Sequence, residues 1–117
     1  MKFTIIMPTY NDSETILEAV NSVLNQTYQD WELLISDDGS TDNTKTIIKD
    51  FLKKINDKRI QYIYHENMDQ LNAIMTVLPL ITGDYVYILH SDDLFDNNEV
   101  LQKVANYFKI NKADAII

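Results

Sequence analysis

The sequence contains no cysteine. Disulfides, thiolate metal sites, iron–sulfur clusters and thiol catalysis are thereby excluded, and a reducing compartment suits the chain. Only two glycines occur, Gly39 and Gly83, too few for a GxGxxG dinucleotide turn and too far apart for a Walker phosphate loop or a GxSxG nucleophile elbow. Positive charge is also short, with 10 Lys and Arg against 18 Asp and Glu, a net charge of −8. That balance argues against general binding to nucleic acid or to an anionic membrane. A phosphate-bearing ligand must be held by local donors or through a metal. No stretch approaches the roughly 18 apolar residues of a membrane span, and the opening run Phe3–Met7 is too short for a signal peptide. The expected location is the cytoplasm, with peripheral attachment to a membrane left to other parts of a longer protein.

What is present is the material of one folded domain: 117 residues, 45% hydrophobic and 24% charged, enough for a core and too little for a second full domain. Phe3–Met7 reads as a buried strand stopped by Pro8. From Ser13 to Gln26 apolar residues recur every three or four positions, giving an amphipathic helix with Asn11, Asp12 or Ser13 at its start. A second strand over Glu32–Ser36 leads through a turn-rich stretch to a helix carrying Ile47, Ile48, Phe51, Leu52 and Ile55. A third strand over Ile60–Tyr64 precedes a weak helix over Met68–Ile81, which Pro79 should end or kink. Tyr85–Leu89 is a fourth strand, Asn97–Ile110 a fourth helix, and Ala113–Ile117 the start of a fifth strand. Strict alternation of strand and helix predicts an α/β, three-layer architecture, a mainly parallel sheet with helices on both faces.

In such sheets ligands bind beyond the carboxyl ends of the strands. Those ends carry Pro8, Thr9, Tyr10 and Asn11, then Asp37 and Asp38, then His65 and Glu66, then His90, Ser91, Asp92 and Asp93. Two aspartate pairs brought together repel one another unless a cation or hydrogen-bond donors compensate. Mg²⁺ or Mn²⁺ suits such a pair better than zinc, because a hard cation takes one or two carboxylates and fills its shell with water and phosphate oxygens. Asp-rich loops also serve as turns and helix caps, a reading that weighs more for Asp37–Asp42 than for the pair that directly ends the fourth strand. His65-Glu66 lacks a second histidine at metalloprotease spacing and is no zinc motif.

Three segments, Ile5–Asn11, Trp31–Thr44 and Gly83–Asp93, resemble the family 2 glycosyltransferases of the GT-A fold in order and spacing, and Ser22–Thr27 resembles that family's Ser-hydrophobic-hydrophobic-x-Gln-Thr segment. The resemblance covers nearly the whole chain. It implies a Rossmann-like GT-A sheet over residues 1–117 that binds a nucleotide-diphospho-sugar, most often a UDP-sugar. Donor-binding residues by that mapping are Pro8, Tyr10, Asn11, Asp37, Asp38, Ser91 and Asp92. Tyr10 would pack on the base, Asp38 would accept from the uracil N3–H, and Ser91 would lie near the ribose. Asp92 would ligate Mn²⁺ or Mg²⁺, with His90 and Asp93 as further candidate ligands. The implied reaction is inverting transfer to a hydroxyl of a saccharide, lipid-linked or protein acceptor. The acceptor half and its general base are expected beyond Ile117, and a homodimer is left open.

The chain departs from the family pattern at two places. His90 stands where the family writes the first aspartate of Asp-x-Asp-Asp, and Ile74 stands where it writes a donor-holding arginine. These departures keep a second reading in view, a non-catalytic nucleotide-sugar-binding or scaffold domain. A phosphoacceptor receiver domain matches in size and acidity, but it places its acidic pair after strand one and its phosphorylated aspartate after strand three, where this chain has Thr9-Tyr10-Asn11 and His65-Glu66.

Overall fold

A computed structural model describes residues 1–111; the expected strand over Ala113–Ile117 lies outside them. Four strands, β1 (Phe3–Thr9), β2 (Trp31–Asp38), β3 (Ile60–His65) and β4 (Tyr85–Ile88), alternate with four helices, α1 (Ile16–Leu24), α2 (Thr44–Ile55), α3 (Gln70–Val77) and α4 (Val100–Asn111). The sheet order is β3-β2-β1-β4. Every pairing is parallel, so all four carboxyl ends lie along one edge.

Every residue of β1 and β2 is buried, as expected of central strands covered on both faces. Side chains alternate between those faces. Phe3, Ile5, Met7, Leu33 and Ile35 meet Ile16, Val20 and Val23 of α1, Ile48 of α2, and Leu101 and Phe108 of α4. On the other face Ile6 and Leu34 meet Val77 of α3, with Ile63, Ile74 and Ile81 packed around them. The three-layer arrangement is therefore present. The strand tyrosines mostly serve it: Tyr85 stacks on Phe108 with ring centroids 3.9 Å apart, and Tyr87 meets Phe95 edge-on at 5.2 Å.

Element bounds differ from the sequence expectation for local reasons. β1 runs through Pro8 because Pro8 shares its parity with Ile6, whose carbonyl accepts from Leu89 N–H; the missing proline donor falls on the side where β4 has already ended. α1 starts at Ile16, later than expected, since the Asp12 carbonyl takes the N–H groups of Thr15 and Ile16 in a preceding turn. α3 starts at Gln70, with the Asp69 carboxylate accepting from Asn72 N–H at 2.7 Å, and passes at Pro79 into a 3₁₀ turn over Leu78–Leu80.

Glu32 is a buried acid on the α3 face, near the amino ends of the strands. Glu32 accepts from Thr4 Oγ1 at 2.6 Å, from Thr82 N–H at 2.7 Å and from Thr82 Oγ1 at 2.8 Å, with Lys2 Nζ 3.7 Å away. Burial works against its charge, but these hydrogen bonds and the lysine outweigh it and lower the carboxyl below its ordinary 4.5. Thr4 Oγ1 in turn accepts from Gly83 N–H at 2.9 Å. A Cβ on Gly83 would stand 2.5 Å from that same oxygen, so only glycine lets the β4 lead-in come this close.

Candidate functional site: a carboxylate cleft at the strand ends

The carboxyl edge of the sheet opens into a cleft of about 250 Å³. Pro8, Thr9 and Tyr10 line it from the end of β1, Asp38 from β2, His90 and Asp92 from the loop after β4, and Asp12 and Ala73 from the flanks of α1 and α3. Tyr10 is 46% exposed, a large aromatic residue open to solvent at the cleft. The lining contains three aspartates and no lysine or arginine.

The two residues of each aspartate pair have different surroundings. Asp37 points to the α1–α2–α4 face and is fully buried. Its Oδ1 accepts from Ser40 N–H at 2.9 Å and its Oδ2 from the Tyr62 hydroxyl at 2.5 Å. Burial first, and then this bond to the carboxylate, raises the Tyr62 hydroxyl above its ordinary 10.0. Asp38, one residue on, points to the α3 face. Its Oδ1 accepts from Met68 N–H at 2.9 Å and lies 3.5 Å from His65 Nδ1. Among the described residues Oδ2 has no partner.

After β4, the N–H of Asp93 donates to the His90 carbonyl at 2.9 Å, closing a turn with Asp92 at its corner, and Asp93 Oδ1 accepts from Leu94 N–H at 2.9 Å. Asp92 is exposed, and its carboxylate has no hydrogen bond or ion pair among the described residues. The Ser91 hydroxyl donates to Asp12 Oδ2, and the Ser91 carbonyl accepts from Thr15 Oγ1 at 2.9 Å. Asn11, at a left-handed φ of 51°, accepts from Thr41 N–H at 2.8 Å through its side-chain oxygen. Of the residues picked out from the sequence, Pro8, Tyr10, Asp38, His90 and Asp92 thus meet in the cleft. The side chains of Asn11, Asp37 and Ser91 are engaged in building its loops, and Asp93 in closing its turn.

Two features of the site were not evident from local sequence. Gln26, 1% exposed, holds the segment that follows the Asp92 turn: its Oε1 accepts from Leu101 N–H at 3.0 Å and its Nε2 donates to the carbonyls of Asn97 at 2.7 Å and Ser22 at 3.1 Å. Ser22 Oγ accepts from Phe95 N–H at 3.2 Å, and Thr27 N–H donates to the Asn98 carbonyl at 2.8 Å. The Ser22–Thr27 segment therefore clamps the loop between Asp92 and α4. Gly39, at φ 74°, is the second: a Cβ there would lie 2.6 Å from Asn67 N, so its absence lets the β3–α3 loop fold over Asp38, where Asn67 Nδ2 donates to the Asp38 carbonyl at 3.0 Å.

With that geometry in place, comparison with known proteins decides the family. The family model for glycosyl transferase family 2 matches residues 4–117. This chain belongs to that family. It is 37% identical over 109 residues to the Escherichia coli UDP-Glc:alpha-D-GlcNAc-diphosphoundecaprenol beta-1,3-glucosyltransferase WfgD, covering 92% of this chain and 42% of WfgD. It is also 37% identical over 121 residues to the uncharacterized glycosyltransferase MG060 of Mycoplasma genitalium, covering all of this chain and 40% of that one. Among solved structures, residues 1–349 of S. aureus TarS in complex with UDP superpose with a TM-score of 0.83 at 28% identity, over 97% of this chain and 34% of TarS 1–349. The mannosyltransferase PcManGT of Pyrobaculum calidifontis, in complex with GDP-Man and Mn²⁺, superposes with a TM-score of 0.87 at 25% identity, over 94% and 33% of the two chains. The glycosyltransferase fold expected from the sequence is thus shown, and the chain spans less than half the length of these relatives.

The donor set also fits a divalent cation. No group of three His, Asp or Glu side chains converges to hold a metal among the described residues, whereas Asp92 offers one uncommitted carboxylate at the cleft. One protein carboxylate with the remaining positions filled by phosphate oxygens and water is an arrangement that Mg²⁺ accepts and zinc does not favour. No helix among the described residues is long and apolar enough to cross a membrane.

Proposed function

We propose that this chain is the donor-binding part of an inverting glycosyltransferase that draws a sugar from a UDP-sugar in the presence of Mn²⁺ or Mg²⁺. The observation that carries the reading is the meeting of three differently equipped groups in one cleft: the exposed ring of Tyr10, and the Oδ2 of Asp38 and the carboxylate of Asp92, neither of which has a partner among the described residues. Tyr10 packs against the base. Asp38 Oδ2 accepts the ring N–H of uracil, a preference that excludes cytosine, whose corresponding nitrogen is an acceptor. Asp92 holds the cation, which when bound neutralises the diphosphate and stabilises it as a leaving group. The acceptor, be it saccharide, lipid-linked or protein, and the base that takes its hydroxyl proton belong to the longer protein.

TarS structures with UDP and with UDP-GlcNAc, and the glucosyltransferase WfgD with its UDP-Glc donor and diphosphoundecaprenol-linked acceptor, support a uridine donor and a saccharide acceptor carried on a lipid diphosphate. Ile74 supports the alternative of a binding domain without turnover: in place of the family's arginine it packs with Ile6, Leu34 and Val77 and offers the donor no charge.

Calorimetric titration of UDP, with and without Mn²⁺, tests the reading on the wild-type chain and on Asp92→Ala. Binding that requires Mn²⁺ and falls at least tenfold in the variant is expected. UDP binding of equal strength in both proteins would remove Asp92 from the site.

A further inference from the structure

His65 ends β3 directly opposite Asp38 in the β2–β3 ladder, and its ring is surrounded by acceptors. Nδ1 lies 3.1 Å from the Glu66 carbonyl and 3.5 Å from Asp38 Oδ1. Nε2 lies 3.0 Å from Ser36 Oγ. Ser36 donates its single hydroxyl hydrogen to the Ala73 carbonyl at 2.6 Å, so towards His65 it can only accept. Nε2 must then carry a hydrogen, and so must Nδ1, which meets a carbonyl and a carboxylate. A neutral imidazole has one N–H and would set a lone pair against an acceptor in either tautomer. Only the imidazolium satisfies the whole arrangement.

Serine, histidine and aspartate in this order invite comparison with a nucleophilic triad. The comparison fails because Ser36 is fully buried, its hydrogen is committed to a backbone carbonyl, and the ring faces it as a donor, whereas a general base must accept.

We propose that His65, as the imidazolium, is the positioning residue of the base pocket. It sets a positive charge 3.5 Å from Asp38 Oδ1 at the end of β3 and so leaves Oδ2 as the oxygen available to the base. The proposal rests on the nucleotide reading above. The ionisable groups around this corner are Asp38 on β2, Glu66 beside the ring in sequence, Asp69 at the start of α3, and Tyr10, Asp12, His90 and Asp92 across the cleft. Asp37 and Tyr62 lie on the opposite face of the sheet. Loss of the ring's second hydrogen puts a lone pair against Asp38 Oδ1 or Ser36 Oγ, and the hold on Asp38 is released.

The test has two arms on the intact chain. Long-range ¹H–¹⁵N spectra read the histidine rings, of which there are two, His65 and His90; His65→Gln assigns them. Both His65 nitrogens are expected to be protonated near pH 6.5, with a neutral population rising in Asp38→Asn. In the second arm UDP-GlcNAc is titrated in Mg²⁺ between about pH 6 and pH 8, where its diphosphate diester does not change charge. Wild-type affinity is expected to fall about fivefold with rising pH, as the positive charge 3.5 Å from Asp38 Oδ1 is lost. His65→Gln should bind weakly and without that slope, and His65→Arg should recover affinity without it. A neutral His65 ring at pH 6.5, or a slope that persists in His65→Gln, overturns the proposal while leaving nucleotide binding intact. No binding by the wild type at any pH overturns the nucleotide reading and the proposal with it, and the ring spectra then show separately whether the ion pair exists.

Discussion

Replacing Gly39 with alanine should damage both stability and the cleft, by an amount the structure allows to be estimated. At φ 74° a side chain meets the backbone in a region that costs an L-residue about 1–2 kcal/mol. The new Cβ would lie 2.6 Å from Asn67 N, 3.0 Å from Asn67 Cβ and 3.1 Å from Asn67 Cα. Ordinary contact begins near 3.4 Å, so the β3–α3 loop must withdraw. Withdrawal breaks the bonds from Asn67 Nδ2 and Met68 N–H to Asp38, each contributing roughly 1 kcal/mol. The total is about 3–4 kcal/mol, a large part of the roughly 5–15 kcal/mol that holds a domain folded. With a urea slope of about 2 kcal/mol/M the unfolding midpoint falls by about 1.5–2 M. Trp31, the single tryptophan and 1% exposed, reports the transition by its fluorescence. Gly39→Asn separates the two causes, because asparagine tolerates a left-handed backbone but still collides with Asn67; it should lose about 2 kcal/mol. A Gly39→Ala protein within about 0.5 kcal/mol of wild type, with unchanged UDP affinity, would refute the argument that this contact shapes the site.

Glu32→Gln should cost about 1–2 kcal/mol, since the amide oxygen can keep the bonds from Thr4 and Thr82 N–H only if its NH₂ faces the Thr82 hydroxyl, which must turn to accept, and the negative charge beside Lys2 is lost; urea melts measure this. The folded Glu32 carboxyl sits below its ordinary 4.5, so its contribution is complete above that pH and is lost as pH falls through the lowered value. Wild-type stability should therefore drop below about pH 4.5 with a steeper slope than in Glu32→Gln. Gln26→Ala strands the buried Leu101 N–H, removes the donor to the Asn97 carbonyl and leaves a void, and should cost about 2–4 kcal/mol. Because those groups anchor the loop behind Asp92, its Mn²⁺-dependent UDP affinity should fall as well, while the exposed neighbour Asn25→Ala leaves both unchanged.

Most of the layer structure was legible from hydrophobic pattern alone, because β1 and β2 are apolar runs too short for helices and each is followed by helical spacing. The limits of the helices were less so: Ser13 and Asn97 look like helix starts, yet the chain spends Asp12 and Asn97 on contacts made with Ser91 and Gln26, far away in sequence. The aspartate pair at 37 and 38 shows the same limit at the site. Alternation says that the two face opposite sides of the sheet, but only the packing of α3 and Tyr62 decides which side is the cleft. His65 beside Glu66 read only as no zinc motif, since its partners Ser36 and Asp38 come from β2 and are set by strand register. Gln26 lay in a segment that matched the family, but its partners are 71 and 75 positions on, beyond the reach of any local pattern.

The order of the strands also bears on how the cleft comes into being during synthesis. β1 pairs first with β2, Phe3 opposite Trp31, and on its other side with β4, Phe3 opposite Tyr85. The first partner emerges within about thirty residues and the second only after more than eighty, so closing the later loop carries the larger entropic cost. The half that bears Tyr10, Asp38 and His65 can pair while the chain is still growing, whereas Asp92 arrives with the last crossover. On the proposed reading a growing chain thus acquires the groups assigned to the base before the one assigned to the cation, and the proposed nucleotide site is complete only once β4 has docked.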